Sequence, residues 1–494
     1  MALDLLSVHC LSSGGEMKSN IRMLFLFLWA GSILAQGISV KTVPLLSTDQ
    51  FSLVPSFRDD MGGTSIAIRD GLQDLFINPG HFAPETRSQW FVNPRLSHWG
   101  FSQETSTRYN GQWPSYNLEQ NNAKSSIFTL PIGFLFTSKN VYTAAMAGFQ
   151  ALSAGNWQSA HFKASNYPWT WIGGLYLPRL KTAIGVGVDY VRIRGIDGVY
   201  LLYPNATQLS QKGSARQFRL GLCSSLANGD HWNLSGSRYL FKILQTEQNV
   251  VNKDENNGWW VQANYMKKIS EPLTLAALIV ADWRHHPKIP EYPLAGIPRD
   301  PGNTRALNFG FGLKWQNETT LFGIDLIYEP VDVKTWADAA TEFTNWDGHI
   351  YRVGDVTQRN DYRFANRLIR SGVQIKPTKW LSLATGAQVK LYEYDYYQND
   401  FLNHAERTGK PQRQWSETTW TGGIKIHTGK IILTYSLRLQ TGTGLLERQW
   451  LWRWFAFDGL AEFAKADFLI PPTVTLNVTP VTYYTQWLGL TYCF

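Results

Sequence analysis

"RALNFGFGLKWQNETTLFGIDLIYEP", residues 305–330, decides the fold. Leu307, Phe309, Phe311, Leu313 and Trp315 fall on one phase of a two-residue repeat, and Asn308, Gly310, Gly312 and Lys314 fall on the other. After residues 316–319 the alternation resumes, with Phe322, Ile324, Leu326 and Tyr328 set against Gly323, Asp325 and Ile327. Successive side chains of an extended chain point to opposite faces, so this is a hairpin of two strands with one apolar face.

The pattern recurs along the chain. Ile184, Val186, Val188 and Tyr190 oppose Ala183, Gly185, Gly187 and Asp189; Phe218, Leu220 and Leu222 oppose Gln217, Arg219, Gly221 and Cys223. Sixteen such segments run from about residue 93 to residue 494, and the joints between them alternate in length. Short ones lie at 138–140, 178–181, 228–230, 269–272, 316–319, 377–379 and 427–430, whereas 195–213, 285–304, 331–361 and 441–472 are about fifteen residues or longer. Tight turns on one side and long loops on the other, with strands of about ten residues, describe an outer-membrane barrel; a soluble sandwich has no reason to segregate its loops. Inside hydrocarbon every backbone N–H and C=O needs a partner, and a closed sheet is the strand arrangement that supplies them all. The expectation is an all-β transmembrane antiparallel barrel of about sixteen strands, with fourteen as the alternative.

The leader agrees. From Met17, "MKSNIRMLFLFLWAGSILAQG" has Lys18 and Arg22 ahead of an apolar run and small residues near Ala35, the layout of a secretory signal peptide. Residues 1–16 are read as an over-extended start. The organisation expected is therefore 1–36 extension and signal peptide, 37–92 plug segment and 93–494 barrel. No other apolar run reaches the roughly 18 residues of a membrane helix. After the leader only Cys223 and Cys493 remain, too few for a disulfide-stapled fold. The net charge of +8 is scattered, so nucleic acid is not expected as a partner. The chain ends on "YYTQWLGLTYCF", in which Leu488, Leu490, Tyr492 and Phe494 share a phase. That ending resembles the C-terminal signal read by the barrel-assembly machinery.

One segment does not alternate: "MGGTSIAIRDGLQDLFINPGHFA", residues 61–83. Asp70 is placed to cap a short helix, Leu72, Leu75 and Phe76 give that helix an apolar side, and Pro79 discourages its continuation. The stretch resembles the N-terminal motif of the FadL-like outer-membrane transporter superfamily, which includes accessory barrels of type IX secretion. Gly62 and Gly63 match its glycine pair, Asp70 its first acidic position, Leu75 and Phe76 its apolar and aromatic positions, and Asn78 and Pro79 its Asn-Pro. Gly71, Gly80 and His81 depart from it. The resemblance implies a plug inside the barrel and passage of a small apolar or amphipathic molecule. Its accessory branch implies the alternative, an interaction barrel that transports nothing and serves a larger receptor or secretion complex.

Catalytic signatures are missing: the sequence contains no G-x-S-x-G, no phosphate loop and no H-E-x-x-H. His285 and His286 are adjacent, so on a strand they face opposite ways. No enzyme, cofactor or metal site is expected. The partners expected are outer-membrane lipid, the assembly machinery, and either a small hydrophobic ligand or a larger outer-membrane complex. Trp450, Trp452 and Trp454, alternating in the most aromatic loop, are candidates for contact with such a complex.

Overall fold

A computed structural model describes residues 53–494 except 83–85, 107–117, 154–162, 198–208, 248–249, 287–301, 340–341, 403, 410–414 and 449–475. The leader and Trp450, Trp452 and Trp454 lie outside the described residues. All the described residues belong to one compact unit, Gln36–Phe494.

Sixteen strands form the wall. They are β1 (Gln89–Val92 continued by Arg95–Ser106), β2 (Leu118–Ser138), β3 (Val141–Ser153), β4 (Lys163–Leu177), β5 (Thr182–Asp197), β6 (Leu209–Ser225), β7 (His231–Glu247) and β8 (Val250–Lys268). The circuit continues with β9 (Leu273–His286), β10 (Gly302–Gln316), β11 (Thr320–Asp338), β12 (Val356–Thr378), β13 (Leu381–Tyr392 continued by Tyr394–Asp400), β14 (Ala405–Gly409 continued by Trp415–Thr428), β15 (Ile431–Arg448) and β16 (Leu476–Cys493). Each pairs antiparallel with the next, and β1 pairs with both β2 and β16, so the sheet has no edge. The sixteen segments read from alternation are these sixteen strands.

The long connections differ from expectation. Much of their length is strand: β7 and β8 stay paired up to Glu247 and Val250, and β11 and β12 up to Asp338 and Val356. Backbone pairing does not stop where lipid stops, and the apolar alternation used to bound the strands marks only the part that lipid touches. Between β11 and β12 a small hairpin, Phe343–Thr344 with Ile350–Tyr351, is tied to the turn after β13 by Asn345 and Trp346, which both donate to the Leu402 carbonyl at 2.9 Å. There the backbone N–H of His349 and the ring of His404 both reach the Asp347 carboxylate, holding it below the usual carboxylate range.

The outward phase is apolar all round. Phe311, Leu326 and Ile369 project from the barrel, as do Trp171, Trp259 and Trp283 along the strands and Trp380 at a short turn. Arg238 lies over Trp259 at 4.7 Å and Arg305 over Trp283 at 5.6 Å, an arrangement in which the ring sits at the interface and the guanidinium reaches toward water. Leu488, Leu490 and Tyr492 continue the outward phase on β16, and Phe494 follows it with its N–H donating to the Ser88 carbonyl at 3.0 Å. Tyr492 stacks between Trp90 and Phe494.

Leu326 lies six residues from the turn that precedes β11, well inside the apolar band. Leu326→Arg should cost about 2–4 kcal/mol of barrel stability, the range for a cation on a lipid face. Urea titration of protein refolded into phospholipid vesicles measures it, and a loss below about 0.5 kcal/mol would remove Leu326 from the lipid face.

Candidate functional site

The lumen at the short-turn end is occupied by the chain's own N-terminal segment. Two short helices, α1 (Phe57–Asp60) and α2 (Gly71–Ile77), are joined by an extended stretch. The Asp70 carboxylate accepts from the N–H groups of Leu72 and Gln73, capping α2 as its position before a helical run predicts. Gly62 and Gly63 hold φ of +70° and +78°, the left-handed turn that leads out of α1 and that side chains with a Cβ resist.

A buried arginine ties the segment together. Arg58 donates to Asp74 at 2.5 Å, to the Gln73 side chain at 2.6 and 2.9 Å, and to the Ile68 carbonyl at 3.1 Å. Ser56 adds bonds to Asp70 at 2.8 Å and to Gln73 at 2.9 Å. With its charge paired and its donors used, Arg58 fixes α1 against α2. His81 Nε2 lies 3.1 Å from Arg69 Nε and 3.4 Å from the Asp74 carboxylate, which places the ring between the two charges.

Polar bonds then hold the segment to the wall. Asp325 on β11 accepts from the N–H of Ser65 at 2.7 Å and from that of Ile66 at 3.3 Å. Asn264 on β8 donates to the Ile66 carbonyl at 3.1 Å, and Arg370 on β12 to the Gly63 carbonyl at 3.2 Å. Thr421 on β14 accepts from Gly62 N–H and donates to the Asp60 carbonyl, each at 2.8 Å. Arg219 on β6 donates to the Phe76 carbonyl while pairing with Asp189 on β5 at 2.7 Å. Asn78 donates to the Leu222 carbonyl, and the Tyr142 hydroxyl to the Pro79 carbonyl at 2.6 Å.

Space for so close an approach comes from glycine on the inward phase. A Cβ at Gly221 would strike Asn78 and Gly80; one at Gly312 would strike Ile66; one at Gly386 would strike Met61 and Gly62. The protein is a plugged outer-membrane barrel.

The plug's two flanks differ. On the side of β1 to β5, Leu53, Val54, Leu72, Leu75 and Phe82 pack against inward-facing Phe91, Leu135, Tyr142, Met146 and Ile172. Phe82 stacks on Tyr142 with centroids 4.4 Å apart. The other side holds most of the polar bonds above, with a smaller apolar contact of Ile66 and Ala67 on Met266 and Ala276.

The residues singled out from the sequence thus fall together: Gly62, Gly63, Asp70, Leu75, Phe76, Asn78 and Pro79 all belong to the segment in the lumen. Leu488, Leu490, Tyr492 and Phe494 lie elsewhere, on the outer face. Sequence reading did not single out Arg58 and Asp74, which hold the plug's shape, or the wall residues Asp325, Arg370, Thr421 and Tyr142. One signal was present: glycine on the inward phase of many strands, where a water-filled pore would carry polar side chains.

No protein-family model and no curated protein matches the chain. Among solved structures, the chain is similar to the toluene transporter TodX of Pseudomonas putida at 13% identity and a TM-score of 0.42, covering 93% of this chain and 100% of that one. It is similar to the toluene transporter TbuX of Ralstonia pickettii at 9% and 0.39, covering 89% and 98%. A Pseudomonas aeruginosa FadL homologue matches at 10% and 0.38, covering 90% and 99%. At such identities no residue role passes from those proteins to this one.

Gly221→Val should expel the Asn78–Gly80 turn while leaving the barrel closed. Limited trypsin digestion at Arg69 should then speed up at least about tenfold, since it reports how often the plug opens. Asp325→Ala strands two N–H groups, costs about 1–3 kcal/mol of plug docking and should accelerate the same cut more modestly. Cleavage at the wild-type rate in both variants would show that the plug is not seated on β6 and β11.

Proposed function

We propose that the barrel passes a small apolar or amphipathic molecule across the outer membrane, and that the plug is its gate. One observation carries this reading: the inward face of β1 to β5 is apolar where it meets the plug, with Phe91, Leu135, Tyr142, Met146 and Ile172 in one continuous contact. A lumen built only to conduct hydrated solutes keeps a polar interior. Here a shift of the plug leaves an apolar stripe facing the polar groups of β6 to β14, a two-sided surface that suits a molecule with an apolar body.

Movement requires the plug to come away at tolerable cost. Leu53, Leu75 and Phe82 each contribute about 2 kcal/mol by burial, so full withdrawal is expensive. A passenger that takes the place of Phe82 and Leu75 on the stripe offsets that term, because its own apolar surface leaves water at the same contact. Opening is thereby coupled to the molecule that passes.

Deletion of residues 61–83 should raise single-channel conductance in planar bilayers and abolish any preference for apolar over hydrophilic solutes of equal size in liposome uptake. Unchanged conductance would sink the gate. A barrel that excludes all solutes but copurifies stoichiometrically with another outer-membrane protein would favour an accessory role instead.

A further inference from the structure

Between the plug and the short turns lies a cavity of about 560 Å³. Phe57 and Ala67–Arg69 of the plug roof it, and inward-facing residues of β7 to β14 wall it. Among the described residues its lining is strongly cationic: Arg69, Lys268, Lys314, Lys376 and Lys425 stand against one carboxylate, that of Glu271, a formal excess of four positive charges. Glu271 is already paired, with Lys268 at 2.6 Å. The Lys425 ammonium lies over the Phe57 ring at 5.4 Å, and among the described residues the hydrogen-bond partners of the Arg69 side chain are the rings of His81 and His231. Among the described residues no carboxylate lies within ion-pair distance of Arg69, Lys314, Lys376 or Lys425.

These cations come from separate elements. Lys314 closes β10, Lys376 lies at the end of β12, Lys425 is on β14 and Arg69 is on the plug. Each wall lysine occupies the inward phase, opposite an outward apolar neighbour such as Trp315, Ile375 or Ile424. Like charges gathered in a half-enclosed space repel one another, and lysines that only needed solvation would be better placed on the open turns. Convergent cations of this kind match an anion whose oxygens several of them can reach at once.

We propose that this vestibule is a binding site for a multiply charged oxyanion, either a phosphate ester or a polycarboxylate, which bridges Arg69 of the plug to Lys314, Lys376 and Lys425 of the wall. A single monocarboxylate would leave most of the excess charge unmatched. Bridging plug to wall, the anion also stabilises the seated plug, since it contacts both parts only while they are together. The site stands on the vestibule alone and requires no passage through the barrel.

The test is isothermal titration calorimetry of the full-length protein in detergent micelles, at constant ionic strength, with inorganic pyrophosphate, citrate and acetate as probes. Pyrophosphate or citrate should bind at least about tenfold more tightly than acetate, and Lys314→Gln with Lys376→Gln should weaken that binding at least about tenfold. Lys139→Gln with Lys430→Gln, in short turns outside the cavity, should leave it unchanged. Tighter binding of pyrophosphate assigns the site to phosphates, and tighter binding of citrate to polycarboxylates. Absence of binding by both, acetate binding equally well, or an equal loss in the turn variant would overturn the proposal. Heat-modifiable migration on gels shows that each variant is a closed barrel before titration.

Discussion

The constraint on which everything else depends is that hydrocarbon offers a backbone no hydrogen bonds. It forces the sheet to close, and closing sixteen strands encloses a lumen too wide for side chains alone to fill. The chain meets the second problem with its own N-terminal segment. Because the segment fills space that wall side chains would otherwise take, the wall beneath it is stripped to glycine at positions such as Gly221, Gly312 and Gly386. Plug and wall are therefore one packing solution, and neither sequence makes sense without the other.

The lumen divides the labour between two kinds of contact. Apolar packing on the side of β1 to β5 gives affinity without direction. Hydrogen bonds from Asp325, Asn264, Arg370 and Thr421 fix position, since each reaches a particular backbone group of the plug. A group that presents both an apolar body and polar atoms can compete with both. Arg58 answers a different need: by bonding Asp74, Gln73 and the Ile68 carbonyl it lets the plug move as a unit.

Much of the barrel was legible because lipid enforces a two-residue repeat, and Leu307, Phe309 and Phe311 display it plainly. The upper reaches of the strands were not legible, since pairing near Glu247 and Val250 continues where neither lipid nor lumen dictates side-chain type. The plug was visible as a segment, through Asp70, Asn78 and Pro79, because a capped helix ended by proline is local chemistry. Its partners were hidden: Asp325 and Arg370 are more than 250 residues away along the chain, and no spacing rule links them to Ile66 or Gly63. The basic vestibule was hidden for the same reason, its lysines meeting only once the sheet has closed.

Strand β1 is interrupted at Asn93 and Pro94, yet both its pieces keep the same register against β2 and β16. Proline cannot donate to the ladder, and the Asn93 side chain turns inward to donate to the Leu53 carbonyl at 3.1 Å. The interruption therefore falls on the seam where the first strand meets the last, the pairing with the greatest separation along the chain and so the costliest in loop entropy. Seam and plug share Asn93, so the closing pair of strands and the segment that fills the lumen are joined through one side chain. A plug detached at Leu53 therefore gives up a contact to the very strand that closes the barrel.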